Sequence, residues 1–285
     1  MIITALYGKP TEHSVSPQLF SFYAKHFRLE YSHLKIDIKK AELENAIKSV
    51  RLLKFAGVNI TLPYKQDVIA YLDKLDSTSK QLGAVNTIVN KNGILIGYNT
   101  DWYGAVKQIE TLLSRKISNS DKALVIGTGG AARAVIFGLL KYTSNITVMY
   151  RNPASVRTIS IKKSFLNKVK FLKIESDKIA IHLNKANIIF NTTSCGMKPN
   201  YNDSIFSKEF FMQNKKLING KYFFDSIFNP KKTKFLTLAE NNGAKVLGGI
   251  DWMVYQGVKA FQLWTGKKIP IKLIKPAKNI LERLL

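Results

Sequence analysis

The stretch Lys122 to Leu140, KALVIGTGGAARAVIFGLL, decides the fold. Ala123 to Ile126 is a short apolar run of strand type. It leads straight into Gly127, Gly129 and Ala132, which fit the spacing G-x-G-x-x-A, and an apolar helical pattern follows. The first glycine permits a tight turn, and the second lets the backbone come close to a pyrophosphate. The small Ala132 lets helix and strand pack closely, while the free N–H groups of the helix start face phosphate oxygens. A glycine-rich turn also occurs in ordinary α/β domains. The immediate succession of strand, turn and helix is what points to dinucleotide binding.

The residue after the next strand selects the nucleotide. Asn145 to Tyr150 reads as that strand. NAD enzymes usually carry Asp or Glu at this point, to accept hydrogen bonds from the ribose hydroxyls. Here Arg151 follows instead, then Asn152, with Arg157, Lys162 and Lys163 nearby. A guanidinium forks onto a 2′-phosphate that a carboxylate would repel. The pattern therefore predicts NADP. Arg157 and the two lysines read as a solvated helix face.

At 285 residues the chain has room for two domains and a substantial core, and 46% hydrophobic content is that of a soluble globular protein. No apolar run reaches the roughly 18 residues of a membrane span. The start, MIITALYGKP, lacks the pattern of a signal peptide. Cys195 is the only cysteine, which excludes an intrachain disulfide and a cysteine-based zinc site. These features lead us to expect a cytoplasmic protein. Net charge is +25, yet only seven of the 44 basic residues are Arg, and the lysines are scattered among many Asn and Ile. No basic run is interleaved with aromatics, so the charge reads as compositional drift and not as a nucleic-acid groove.

Strands and helices alternate from the start, which predicts an α/β fold. Ile2 to Tyr7, Tyr31 to Ile38 and Gly57 to Ile60 read as strands, and Lys40 to Leu53 as an amphipathic helix. Ser16 and Pro17 read as an N-cap and first helical position, and Pro63 as the opening of another helix. Ala84 to Val89 and Ile94 to Tyr98 flank Lys91-Asn92-Gly93, a hairpin turn signal. Asp101 to Ser114 reads as helical, and the polar stretch Ser114 to Asp121 as a linker. Further strands are expected at 169–174, 187–191, 222–227 and 245–247, with the last helices following the Gly248-Gly249 break. The glycine motif thus begins in mid-chain, with about 100 residues before it.

Four polar clusters fall at predicted strand ends or turns, where α/β proteins build sites. They are Ser14 and Ser16 in HSVSP, Asn59, Thr61 and Lys65 in NITLPYK, Asn86 in AVNT, and Asp101 in GYNTD. Singly, each has an ordinary role as a cap, a turn or a strand end. Together they supply hydroxyls, amides, one ammonium and one carboxylate, a set suited to a polyhydroxylated anion with an acid/base pair to spare.

These motifs, with GTGGAARA, NTTSCGM and the late YQG, occur in the order and approximate spacing of shikimate dehydrogenases, and the resemblance runs from Gly8 to about Gly266. It implies a Rossmann-like NADP-binding domain over 102–248. It also implies a discontinuous α/β substrate domain from 1–101 and the returning helices of 249–285, with an active-site cleft between them. The implied activity is reversible NADPH-dependent reduction of 3-dehydroshikimate. Lys65 matches the catalytic lysine, paired with Asp101. Ser14 and Ser16 match the residues that bind the substrate carboxylate, and Asn59, Thr61, Asn86, Asp101 and Gln256 match those that bind the ring hydroxyls. Gly127, Gly129, Gly130 and Ala131 match the phosphate turn, and Arg151 matches the adenosine-phosphate arginine. Thr192, Met197 and Gly249 fall where the nicotinamide end is held. The chemistry requires no metal, and we expect a small-molecule substrate, no nucleic-acid or membrane partner, and a monomer or homodimer.

The chain departs from the family pattern at Phe228, where Tyr is usual, at Trp252, where Met is expected, and at Tyr150 and Asn152, which replace the usual Asn and Thr beside Arg151. Two other readings compete. A quinate/shikimate dehydrogenase using NAD or both cofactors is opposed by Arg151 and by the two serines, which leave less room for quinate's extra hydroxyl. A non-catalytic nucleotide-binding regulator is opposed by intact Lys65 and Asp101.

Overall fold

The computed structural model describes residues 1–157, 167–174 and 176–285. The chain divides into two compact units. One comprises Met1–Thr100 with Val254–Leu284, and the other Asp101–Met253 with the terminal Leu285. The boundary after Met253 falls inside one continuous helix, Ile250–Thr265.

The first unit holds a mixed six-stranded sheet in the order β2-β1-β3-β5-β6-β4. Its strands are β1 (Ile2–Gly8), β2 (Tyr31–Asp37), β3 (Gly57–Ile60), β4 (Lys74–Leu75), β5 (Thr87–Lys91) and β6 (Ile94–Tyr98). β1 is parallel to β2 and β3, whereas β3–β5 and β5–β6 are antiparallel. The β5–β6 hairpin turns on Asn92 and Gly93, both at positive φ, as the Lys91-Asn92-Gly93 signal required. Helices α1 (Ser16–His26), α2 (Leu43–Leu52) and α3 (Ser77–Leu82) belong to this unit. Ala5, Val58, Ile60, Ile88 and Leu95 from the strands pack with Ile47 and Val50 of α2 in one buried cluster.

The second unit holds a wholly parallel sheet in the order β12-β11-β10-β7-β8-β9. These are β7 (Ala123–Ile126), β8 (Ile146–Tyr150), β9 (Val169–Lys173), β10 (Ile188–Asn191), β11 (Tyr222–Asp225) and β12 (Lys245–Leu247). Counted from β7, this is the doubly wound order 3-2-1-4-5-6, so the topological switch point lies between β7 and β10. β7, β10 and β11 are short and almost continuously apolar because both faces are covered. Helices α4 (Asp101–Leu113) and α5 (Gly130–Leu139) belong here. Leu124, Ile126, Met149, Ile189, Phe211, Phe223 and Phe235 form the heart of a buried cluster.

Three expectations are corrected. Ser16 is the first helical residue and not the cap. Val15 occupies the N-cap position, and the Ser16 hydroxyl pairs with Ser14 Oγ at 2.9 Å. Pro63 opens no α-helix; turns follow it, then a 3₁₀ helix at Asp67–Tyr71. Only Tyr64 and Val68 of that segment are fully buried, so tertiary contacts hold it at one spot instead of along a helical stripe. The stretch 114–121 is no loose linker. Asp121, 1% exposed, takes a bidentate fork from Arg115 at 2.9 and 2.6 Å, the Ser118 N–H at 2.8 Å and the Asn187 amide at 2.8 Å. Burial opposes its ionisation, but these donors hold the carboxyl well below the usual range.

Candidate active site

In the first unit, the ends of β3 and β5 bring three of the expected residues into one network. Asn59, 5% exposed, donates from Nδ2 to the Asn86 carbonyl at 3.1 Å and to Thr87 Oγ1 at 3.0 Å. Asn86, 3% exposed, accepts the Thr100 N–H on Oδ1 at 2.7 Å. Its Nδ2 donates to Thr100 Oγ1 at 3.0 Å and lies 3.5 Å from Gln256 Oε1. Thr100 Oγ1 also donates to Gln256 Oε1 at 3.3 Å. The amides and hydroxyls therefore fix one another's orientation before any ligand arrives. Gln256 is set in place by its helix. Beside it, Gly257 lies so close to α1 that an added Cβ would stand 2.5 Å from Leu19 Cδ2.

Thr61 and Lys65 follow β3 directly. The Thr61 N–H donates to the Tyr7 carbonyl at 2.9 Å, and the Lys65 carbonyl accepts from Val85 at 2.7 Å. Backbone bonds thus fix both ends of this turn to neighbouring segments, and both side chains are half-buried. Ser14 and Ser16 form a separate hydroxyl pair at the start of α1, where the helix has no side-chain cap and the Ser16 N–H reaches Ser14 Oγ at 3.3 Å. Paired hydroxyls beside a helix N-terminus suit a carboxylate.

In the second unit, the glycine turn sits at the switch point. Gly127 has φ +114°, and an added Cβ would come within 2.7 Å of Thr192 Oγ1. Thr192, expected at the nicotinamide end, caps β10 and donates to the Ile126 carbonyl at 2.7 Å, so the turns after β7 and β10 are bonded together. Gly129 and Gly130 differ from Gly127. A Cβ on either would meet nothing within 4 Å. Helix α5 starts there without a side-chain cap, and Ala132 behind it is fully buried. Bare backbone facing open space at a helix start fits a pyrophosphate, and Ala131 continues that surface half-buried.

Arg151 is exposed and directly follows β8. The next segment is tied back to the glycine turn, because Thr128 Oγ1 donates to Ser155 Oγ at 2.8 Å and Ser155 Oγ donates to the Asn152 carbonyl at 2.6 Å. Lys162 and Lys163 lie outside the described residues, as does the Arg157 side chain. Met197 is 45% exposed, and Gly249 is buried with an added Cβ only 2.4 Å from the Ser226 carbonyl oxygen. Trp252, one of the departures, is a core residue. It packs on Gly104 and meets Phe190 edge-on at 5.6 Å. Asp101 is the half-buried first residue of α4.

Several residues that shape these sites were not singled out by sequence. Thr100 lies inside GYNTD but reads there as a turn residue. Thr87 lies inside AVNT and Asn191 opens NTTSCGM, but neither residue stands out within its motif, and Asp225 and Gln108 lie outside the motifs named above. The one signal was a lone polar residue closing an apolar strand, Asn191 in IIFN and Asp225 in YFFD.

Residues 6–88 match the shikimate dehydrogenase substrate binding domain, and residues 249–277 match the shikimate 5'-dehydrogenase C-terminal domain. The shikimate dehydrogenase (NADP(+)) of Dehalococcoides mccartyi is 35% identical over 94% of this chain and 91% of its own. That of Methanococcus vannielii is 36% identical over 96% of this chain and 95% of its own. A shikimate dehydrogenase crystallised in complex with NADP+ superposes with a TM-score of 0.87 at 31% identity, covering 100% of this chain and 96% of that one. With relatives this similar along nearly its whole length, the chain belongs to the shikimate dehydrogenase family.

Proposed function

We propose that this chain catalyses the reversible NADP-dependent oxidation of shikimate to 3-dehydroshikimate. The observation that carries the reading is the cross-bonded cluster of Asn59, Asn86, Thr100 and Gln256, a neutral and preoriented set of donors and acceptors for ring hydroxyls. Ser14 and Ser16 bind the substrate carboxylate, and Thr61 adds a further hydroxyl contact. Lys65 takes the proton of the reacting hydroxyl as the alcohol is oxidised and returns it in reduction, and Asp101 orients Lys65 and shares that proton. Bound NADP supplies the hydride acceptor. Gly127, Gly129, Gly130 and Ala131 hold its pyrophosphate, Arg151 its 2′-phosphate, and Thr192, Met197 and Gly249 its nicotinamide end.

In this reading residues 102–248 form the NADP-binding domain, and residues 1–101 with 249–285 bind the substrate. No described helix is long and apolar enough to cross a membrane. The enzyme works on small molecules in the cytoplasm, as a monomer or homodimer. Quinate or NAD as the main substrates, and a regulator without activity, are less favoured, since the relatives along the whole chain are named as NADP-dependent shikimate enzymes. Initial rates followed at 340 nm with shikimate or quinate, each with NADP or NAD, test the proposal. Shikimate with NADP should be the best pair by at least tenfold. A preference for quinate, or for NAD, would overturn it.

A further inference from the structure

Asp225 ends β11 with no exposure to solvent, beside Asn191, its register partner at the end of β10, which is equally buried. Its carboxylate is surrounded by donors. Oδ1 accepts the Ile227 N–H at 2.9 Å, and Oδ2 accepts Asn191 Nδ2 at 3.0 Å and Thr233 Oγ1 at 2.8 Å. Its backbone carbonyl accepts Gln108 Nε2 at 3.1 Å, and the same amide donates to the Gly248 carbonyl at 2.8 Å.

Each of these bonds leads to a turn. Because Asn191 directs Nδ2 at Asp225, its Oδ1 is left to accept Thr193 N at 2.9 Å and Thr193 Oγ1 at 2.8 Å. Thr193 Oγ1 in turn accepts Cys195 N at 3.2 Å, which shapes the turn between Thr192 and Met197. The Ile227 N–H bond shapes the turn after β11, whose Ile227 carbonyl accepts the Gly249 N–H at 2.9 Å. We propose that Asp225 is a positioning residue for the nicotinamide end of the cofactor site, its ionised carboxylate holding in register the turns that carry Thr192, Met197 and Gly249. The proposal rests on the NADP reading above.

The ionised form matters because every side-chain and backbone partner donates to the carboxylate. An amide would turn a donor toward Asn191, whose flip would break both bonds to Thr193, and a protonated acid would lose either the Asn191 bond or the one from Thr233, whose hydroxyl would have to turn round to accept. Burial pushes the Asp225 carboxyl up to about 7, against the pull of the bonds from Ile227, Thr233 and Asn191. The groups that face it are Asn191 from β10, Thr233 at the N-cap of the helix Lys234–Asn241, Gln108 from α4, and Cys195. Only Cys195 titrates, and burial, then the carboxylates of Asp203 and Asp225, push its thiol up, so it stays protonated from pH 6 to 8.

The test is NADP affinity by fluorescence titration at pH 6 to 8, with KM for shikimate measured alongside. In the parent enzyme affinity should fall as pH drops through neutrality. Asp225→Asn should bind NADP about tenfold more weakly at pH 8, lose that pH limb, and keep the parent's KM for shikimate. The 2′-phosphate of NADP titrates near 6 and contributes equally to both proteins. Thr233→Val removes one donor, so it should move the midpoint of the limb to higher pH, and it decides the matter if Asp225→Asn does not fold. Unaltered NADP affinity or an unchanged limb in Asp225→Asn would overturn the inference alone, as would an unmoved midpoint in Thr233→Val. A parent enzyme that does not bind NADP would overturn the functional reading as well.

Discussion

The two units prepare their ligand sites by opposite means. In the first, side chains do the work, with Asn59, Asn86, Thr87, Thr100 and Gln256 already bonded to one another and largely buried. In the second, the absence of side chains does it, since Gly129 and Gly130 present bare backbone to open space at an uncapped helix start. On the proposed function, the difference follows from the ligands. A ring bearing several hydroxyls is told from its relatives by directed amides and hydroxyls, each costly to leave unpaired. A pyrophosphate needs only close approach and a row of N–H groups.

Substitutions should therefore behave differently in the two places. The largest effect is expected where the reacting proton is handled. Lys65→Ala should lower turnover by ~10²–10⁴ with KM for shikimate little changed, the pattern of a group that acts as charge moves. Steady-state kinetics decide this, and turnover within a few-fold of the parent would remove Lys65 from the chemistry. Next is Asn86→Ala, which strips the Thr100 N–H of its acceptor and both neighbouring hydroxyls of a partner. It should cost about 2–3 kcal/mol of stability in chemical denaturation and raise KM for shikimate as well. Normal stability would show that the network is not prearranged.

Gly129→Val should do the reverse. Its φ of −74° and ψ of −168° suit any residue, and an added Cβ meets no protein atom within 4 Å. Stability should change by less than about 1 kcal/mol while NADP binding weakens at least tenfold. A variant that binds NADP normally would place the pyrophosphate elsewhere.

The smallest effect concerns the substrate unit's core. His33 is buried between Phe20, at 4.6 Å, and Trp264, at 5.9 Å, with Nδ1 on Thr4 Oγ1 at 2.8 Å. Burial holds its pKa down to about 3. The unfolded chain, with an ordinary value near 6.5, then binds the extra proton first, so this contribution is complete above about pH 6.5 and falls as pH drops. From pH 7 to 6 the loss is about 0.7 kcal/mol. Denaturation at the two pH values should show it in the parent and not in His33→Phe; an equal loss in both would assign it to other groups.

The two units also differ in how far their sequences announce them. The parallel sheet was legible because its central strands β7, β10 and β11 are short, almost continuously apolar runs, and because the spacing from Gly127 to Arg151 spans one turn–helix–strand unit directly after β7. In the substrate unit the motif residues Asn59, Asn86 and Gln256 were legible, but their meeting was not. Gln256 comes from a helix 170 positions after Asn86, and only the tertiary fold sets it 3.5 Å away. Ser16 failed as a cap, although α1 does start there, and Pro63 failed as a helix opening, for a related reason. Local propensity offered a cap and a first helical turn, but Ser16 found a closer partner in Ser14, and Tyr64 is anchored by its hydroxyl to the Ile38 carbonyl at 2.5 Å. Asp225 was invisible because nothing in YFFD distinguishes a buried hub from a strand-end residue facing solvent.

The central claim joins one substrate to one cofactor, and a single comparison tests both. With shikimate saturating, kcat/KM should favour NADP over NAD in the parent. Arg151→Ala should lower the NADP value by at least about tenfold, the worth of a charge-assisted fork of roughly 1.5–3 kcal/mol, and leave the NAD value nearly unchanged. No oxidation of shikimate, or an equal loss with both nucleotides, would contradict the account.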